Sequence, residues 1–152
     1  MRYRIVAVGS PPRGFLRSGC DHYADRLGRL APIEVVEVRE GRGGDAGTVL
    51  AAEAEALNAR TDGRIIALDE RGTSWTTRRL AAHVAELELR GTSRLSLLIG
   101  GAEGLDPALR AAADERWRLS DLTLPHDLAR LVLLEQLYRI ETVRAGHPYH
   151  RD

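Results

Sequence analysis

Lysine is absent from the 152 residues: all 22 positive side chains are arginine, and 22 acidic residues balance them to zero net charge. That balance excludes a protein that binds polyanions by bulk charge. A high-GC genome produces the same bias through codon usage, yet arginine still offers a planar fork for phosphate and a surface that stacks on bases. Cysteine is nearly absent as well. Cys20 stands alone, which excludes an intrachain disulfide and gives a cysteine zinc cluster no basis. A reducing, cytoplasmic setting fits. No apolar run approaches the ~20 residues of a membrane span, so no membrane is expected as a partner. The opening Met1–Gly9 reads as a strand entered directly, with too short an apolar stretch and no cleavage signature for a signal peptide. Aromatics are only 5%, while apolar residues reach 43% and charged residues 29%. Such a composition is that of a soluble globular chain. Residues 1–152 are expected to form a single domain.

What is present is an alternation of apolar runs and helical patterns. Tyr3–Gly9, Ile33–Val38, Arg64–Asp69 and Arg94–Ile99 read as short strands, and Trp117–Leu119 as a further short one. Helical spacing covers Phe15–Leu30, an alanine-rich stretch from Asp45 to Arg60, a segment from Thr76 or Thr77 to Leu89, Pro107–Asp114, and a last long helix over His126–Val143. Asp45 and Asp106-Pro107 are start signals, and Gly91 and Gly146 are stops. Glu70–Trp75 is expected as a loop. There is no internal repeat or linker. Strand–helix alternation with buried strands predicts an α/β fold, a mainly parallel sheet flanked by helices. Ligands in such folds sit at the carboxyl ends of strands. Three places qualify: Leu68-Asp69, Gly100–Gly104 and Ser120–Pro125.

The last helix carries Leu128, Leu131, Val132, Leu133, Leu134, Leu137, Tyr138 and Ile140. These cover more of its circumference than one sheet contact needs, and a surface helix keeps a polar face. A second protein surface, most simply another copy of the chain, would account for the excess.

Chemistry-bearing residues are sparse. Gly100, Gly101 and Gly104 follow a strand, where glycines either make a tight turn or let backbone N–H groups approach a ligand. They match neither GxGxxG nor a P-loop. His126 starts the last helix and is either a packing residue or a proton carrier. His147 and His150 have a spacing compatible with a metal only in a helix, which Pro148 opposes, so no metal is expected. Tyr149, His150 and Arg151 present stacking, proton-transfer and phosphate-binding groups together, or form an ordinary frayed end. Cys20, Trp75 and Trp117 are expected to pack in the core. No Ser-His-Asp arrangement or nucleophile elbow is visible.

Taken together, the segments are far more specific. LLIGGAEGL at Leu97–Leu105, LSDLTLPH at Leu119–His126, EQLYRI at Glu135–Ile140 and HPYHR at His147–Arg151 occur in this order. With RIVAVGS near the start, this set resembles the RlmH family of small SPOUT-class methyltransferases over the whole chain. One departure is Ala102, where the family often has proline. The resemblance implies a SPOUT fold with a C-terminal trefoil knot, an exception to unknotted topology. It implies S-adenosyl-L-methionine as cofactor and a homodimer. The implied reaction is N3-methylation of a pseudouridine in helix 69 of 23S ribosomal RNA on the assembled ribosome. The implied cofactor-binding residues are Leu68, Gly101, Ser120, Asp121, Leu122, Thr123, Leu124 and Pro125. His126, Tyr149 and His150 are candidates to orient or deprotonate the base. Arg139 and Arg151 are candidates to hold phosphates or uracil carbonyls. Glu103 is either an acid/base group or a loop-solvating one. The competing class is a ribosome-associated factor that binds the cofactor without catalysis.

Overall fold

The computed structural model describes residues 1–151. Its five strands are β1 (Arg2–Val8), β2 (Ile33–Val38), β3 (Arg64–Ser74), β4 (Arg94–Ile99) and β5 (Glu115–Arg118). They form one sheet in the order β2-β1-β4-β3-β5, and every pairing is parallel. The helices are α1 (Gly14–Gly28), α2 (Ala46–Asn58), α3 (Thr77–Leu89), α4 (Pro107–Ala112) and α5 (His126–Arg144).

The period-2 alternation of the central strands divides the core in two. Tyr3, Ile5 and Ala7 of β1 face one side with Leu95 and Leu97 of β4, and there they meet α1, α3 and α5. Val6, Val8 and Leu98 face the other, where Leu57 of α2 and Leu109 of α4 cover them. Both faces of β1 and β4 are therefore apolar, as a covered parallel sheet requires. Caps set three helix starts. Asp45 accepts from the Thr48 N–H at 2.7 Å, Thr76 from Arg79 at 3.3 Å, and Asp106 from Ala108 and Leu109 at 3.1 and 3.2 Å.

Three expectations need correction. Glu70–Ser74 is strand, not loop. After a register shift between Leu68 and Thr73, β3 pairs again with β5, Thr73 opposite Trp117 and Ser74 opposite Arg118. The polar sequence Glu70–Ser74 carries no apolar alternation, so only this partner makes it extended. The last strand also lies earlier, at Glu115–Arg118 rather than Trp117–Leu119. The apolar girth of α5 is met largely inside the chain. Leu133, Leu134, Leu137, Tyr138 and Ile140 are buried against the sheet and its neighbouring helices, with Leu134 only 1% exposed. The surplus thus does not itself call for a second copy. A stripe comprising Leu128, Val132, Glu135 and Arg139 stays half-exposed at helical spacing.

Candidate functional site

All strands being parallel, their carboxyl ends share one edge, and a cavity of about 510 Å³ opens there. That size falls in the roughly 300–1,000 Å³ range of small-molecule sites. Its floor is Leu68, Ile99 and Trp117 at the strand ends. One wall is the loop Gly100–Leu105; the opposite wall is Leu119–Pro125, and His126 and Ala129 of α5 close the side.

The glycine loop folds tightly on itself. The Gly104 N–H donates to the Gly101 carbonyl at 3.0 Å, and Gly104 has φ +78°. A Cβ on Gly100 would stand 2.4 Å from the Gly104 carbonyl, so this position admits no side chain without moving backbone. At Gly101 the missing side chain points elsewhere. Its Cβ would meet Val8 at 3.1 Å and the Glu53 carboxylate at 3.5 and 3.6 Å. Gly101 thus lets its loop seat against β1 and α2.

On the other wall, Ser120 Oγ accepts from the Leu122 N–H at 2.9 Å, a local turn that competes with helix or strand. Leu122 is 77% exposed at the cavity rim. Of the residues implied by resemblance, Leu68, Gly101, Ser120, Leu122, Thr123, Leu124 and Pro125 line the cavity. Asp121 is not among its lining residues; it is exposed and pairs with Arg118 at 3.0 Å.

The structure separates the remaining candidates. His126 lies at the cavity, exposed, with Nε2 3.4 Å from Asp127 Oδ1. Arg139 lies about 20 Å further along α5 at roughly 1.5 Å per residue, where Nε and Nη2 donate to Glu135 at 2.8 and 2.5 Å. Glu135 holds Arg139 above its ordinary pKa through these bonds. Tyr149 packs here too, its ring 4.7 Å from Tyr138 and beneath the Arg139 guanidinium at 4.8 Å. Its hydroxyl donates to Glu135 at 3.2 Å. Burial, then Tyr23 and Glu135, push the phenol well above its usual pKa. In this packing the Tyr149 hydroxyl is engaged as a donor to Glu135. Of the two alternatives for the tail, a simple frayed end does not hold at Tyr149, which packs over α1 and α5. His150 is half-buried and Arg151 exposed. Glu103 is exposed on the glycine loop.

Among the cavity residues that lie outside the motifs are Asp69 and Arg110. Asp69 lies where β3 leaves its ladder, and the bulge places it on the cavity wall. Gly72 permits that bulge, since a Cβ there would be 2.7 Å from Arg116 backbone. Arg110, from α4, faces Asp69 at 3.8 Å. The strand-end rule pointed at Asp69, but nothing local in the sequence connects Arg110 to it.

A nucleoside cofactor fits this chamber. Leu68, Leu119, Leu122 and Leu124 provide apolar surface, and a buried carboxylate oxygen, Asp69 Oδ2, has no hydrogen-bond partner among the described residues. A buried polar atom left open is unusual unless a ligand or water meets it. Among the described residues no group of three or more His, Cys, Asp or Glu could hold a metal ion, and no helix is long and apolar enough to cross a membrane.

The class follows from comparison with known proteins. A family model described as "Predicted SPOUT methyltransferase" matches residues 1–150, and the chain belongs to that family. Proteins of this family take S-adenosyl-L-methionine as methyl donor. The chain is 47% identical over 156 residues to "Ribosomal RNA large subunit methyltransferase H" of Paracidovorax citrulli, covering 100% of both chains. It is likewise 47% identical, over the full length of both, to the protein of that name from Verminephrobacter eiseniae. The fold is similar to the crystal structure of a probable methyltransferase from Bordetella pertussis, with TM-score 0.55 and 15% identity over 92% of this chain and 96% of that one.

Proposed function

We propose that the chain methylates N3 of a pseudouridine in helix 69 of 23S ribosomal RNA on the assembled ribosome, in the cytoplasm, as a homodimer. The observation that carries this is the chamber itself: Leu97–Leu105 and Leu119–His126, distant in sequence, form its two walls. The ribosomal substrate is supported by the names of the full-length relatives. Residues 1–152 act as one domain around one sheet. The C-terminal knot belongs to the same proposal, supported by the chain's path from edge strand β5 past the strand ends to α5, which packs over the central strands.

When bound, the cofactor supplies a methyl group on a cationic sulfur, already activated toward a nucleophile. This chain's residues hold and orient it. Leu68, Gly101 and Ser120–Pro125, including Asp121, are the cofactor site in this proposal. Leucines enclose the adenine, and backbone groups of the two loops read its polar edges. The base enters unpaired, because N3 lies on its Watson–Crick edge. Its N3 proton must leave, and His126 is the titratable imidazole at the cavity.

Arg139, Tyr149, His150 and Arg151 serve the base and its phosphates from a second copy. The separation of Arg139 and Tyr149 from His126 along α5 supports this arrangement, since one chain does not bring them to one place. The half-exposed stripe Leu128, Val132, Glu135 and Arg139 is the surface we assign to dimer contact.

The test is methyl incorporation from labelled donor into ribosomes that lack the modification, followed by mass spectrometry of the helix 69 fragment. N3-methylpseudouridine is the expected product. Methylation elsewhere overturns the substrate. No methylation, with donor binding intact, leaves the non-catalytic ribosome factor.

A further inference from the structure

We propose that Asp69 and Arg110 form a zwitterion clamp for the amino-acid end of the methyl donor, Asp69 taking its α-ammonium and Arg110 its α-carboxylate. Both side chains line the cavity. The Asp69 side chain is 3% exposed, and Oδ2 has no hydrogen-bond partner among the described residues. Oδ1 is already used, accepting from the Arg71 N–H at 3.1 Å. Backbone therefore fixes one oxygen and leaves the other, buried in a residue of the cavity wall, without a partner.

Arg110 stands beside it, its side chain 28% exposed, with Nη1 3.8 Å from Oδ1. That is an ion-pair distance and too long for a hydrogen bond. Among the described residues no acceptor hydrogen-bonds to the Arg110 guanidinium. The two opposite charges are neighbours, yet neither satisfies the other. An isolated buried carboxylate oxygen is costly, and one kept in place on a ligand-sized chamber implies a donor that arrives with the ligand.

The chemistry of that donor follows from the pair. A ribose diol could donate to Asp69 and accept from Arg110, but being neutral it would compensate neither charge. A free α-amino acid group presents an ammonium and a carboxylate two bonds apart, matching an acid and a guanidinium on one wall. Other charged groups at the cavity do not compete. Arg118 is paired with Asp121 at 3.0 Å, while Glu70 and Glu103 are exposed carboxylates that cannot receive a carboxylate. Charge-assisted bonds of this kind are the strong ones and discriminate between ligands that carry the partner group and ligands that lack it. The clamp rests on the cofactor of the family and is independent of which nucleotide is methylated.

The experiment is calorimetric titration of the full-length protein with two probes. S-Adenosylhomocysteine carries nucleoside, sulfur and amino-acid end; 5′-methylthioadenosine carries nucleoside and sulfur only. The wild-type protein is expected to prefer the first by about tenfold or more. Asp69→Asn and Arg110→Gln should each erase most of that preference while leaving affinity for 5′-methylthioadenosine within about twofold. Thermal melting without ligand checks the fold, and Arg110→Gln decides the matter if Asp69→Asn does not fold. Equal weakening of both probes, or no change in either, overturns the clamp. Wild-type binding without discrimination overturns the clamp alone. No binding of S-adenosylhomocysteine overturns it together with the cofactor assignment.

Discussion

The two ends of α5 stand in contrast. At its start, the cavity wall holds polar groups that the chain leaves open, with Asp69 Oδ2 unpartnered and the His126 ring exposed. At its far end, Glu135, Arg139 and Tyr149 bind one another by three hydrogen bonds and a cation–π contact. The first region is built to be completed by a ligand. The second is already complete in one chain, so any service to RNA must reuse or break those bonds. In the proposed reaction, cofactor binding would then need little rearrangement, whereas engaging the base would carry a conformational cost.

The sharpest way to break the contrast lies along α5. Leu134→Glu puts a charge where the chain leaves 1% exposure. It should destroy the fold, a loss of roughly 4 kcal/mol or more, seen by circular dichroism. Val132→Glu, on the half-exposed stripe, should keep the fold and turn the dimer into monomer by light scattering. A folded Leu134→Glu monomer would return the buried face to the interface.

Removing Tyr149–Asp152 should leave donor affinity nearly unchanged and reduce ribosome methylation by about 100-fold, the scale of a positioning error of ~1 Å. Because Tyr149 packs on Tyr138, the truncation should also lower stability by about 1 kcal/mol, read by thermal melting. Loss of donor binding would instead merge the two regions into one site.

Within the cavity, the glycines should rank by what a Cβ meets. Gly100→Ala strikes backbone at 2.4 Å and should weaken donor binding about tenfold or more by calorimetry. Gly104→Ala meets nothing within 4 Å and should show only the cost of its positive φ, about 1–2 kcal/mol of stability.

An effect of similar size, away from both regions, lies at Glu115. Burial works to raise its pKa, but bonds from Trp117, Arg64 and His83 outweigh it and hold the carboxyl below its usual range. Its folded pKa is depressed, so its stabilisation is present above the unfolded value of about 4.3 and is lost as pH falls through the folded one. Glu115→Gln should cost about 1–2 kcal/mol at neutral pH and flatten the acid limb of stability against pH, measured by urea titration.

How far the sequence reaches is clear from particular elements. β2 and β4 were legible to the residue, because Ile33–Val38 alternates apolar residues with glutamates and Arg94–Ile99 is a compact, largely apolar run. The starts set by Asp45, Thr76 and Asp106 were legible because a cap binds an N–H two or three residues away. Both cavity walls were found as motifs. By contrast, Glu70–Ser74 is extended only through its pairing with β5, and its own residues gave no sign of it.

Local periodicity, capping and the order of four motifs determined the α/β class, the family and the strand ends where the chamber lies. Such features are written in neighbouring residues and in chain order. Tertiary structure alone decided that most of the apolar girth of α5 is spent within the chain, that Tyr149 closes over Tyr138, and that Arg110 faces Asp69. Each of these depends on which surfaces meet across the fold. A residue's neighbours in sequence set its backbone; its partners in space set which of its polar atoms remain open to a ligand.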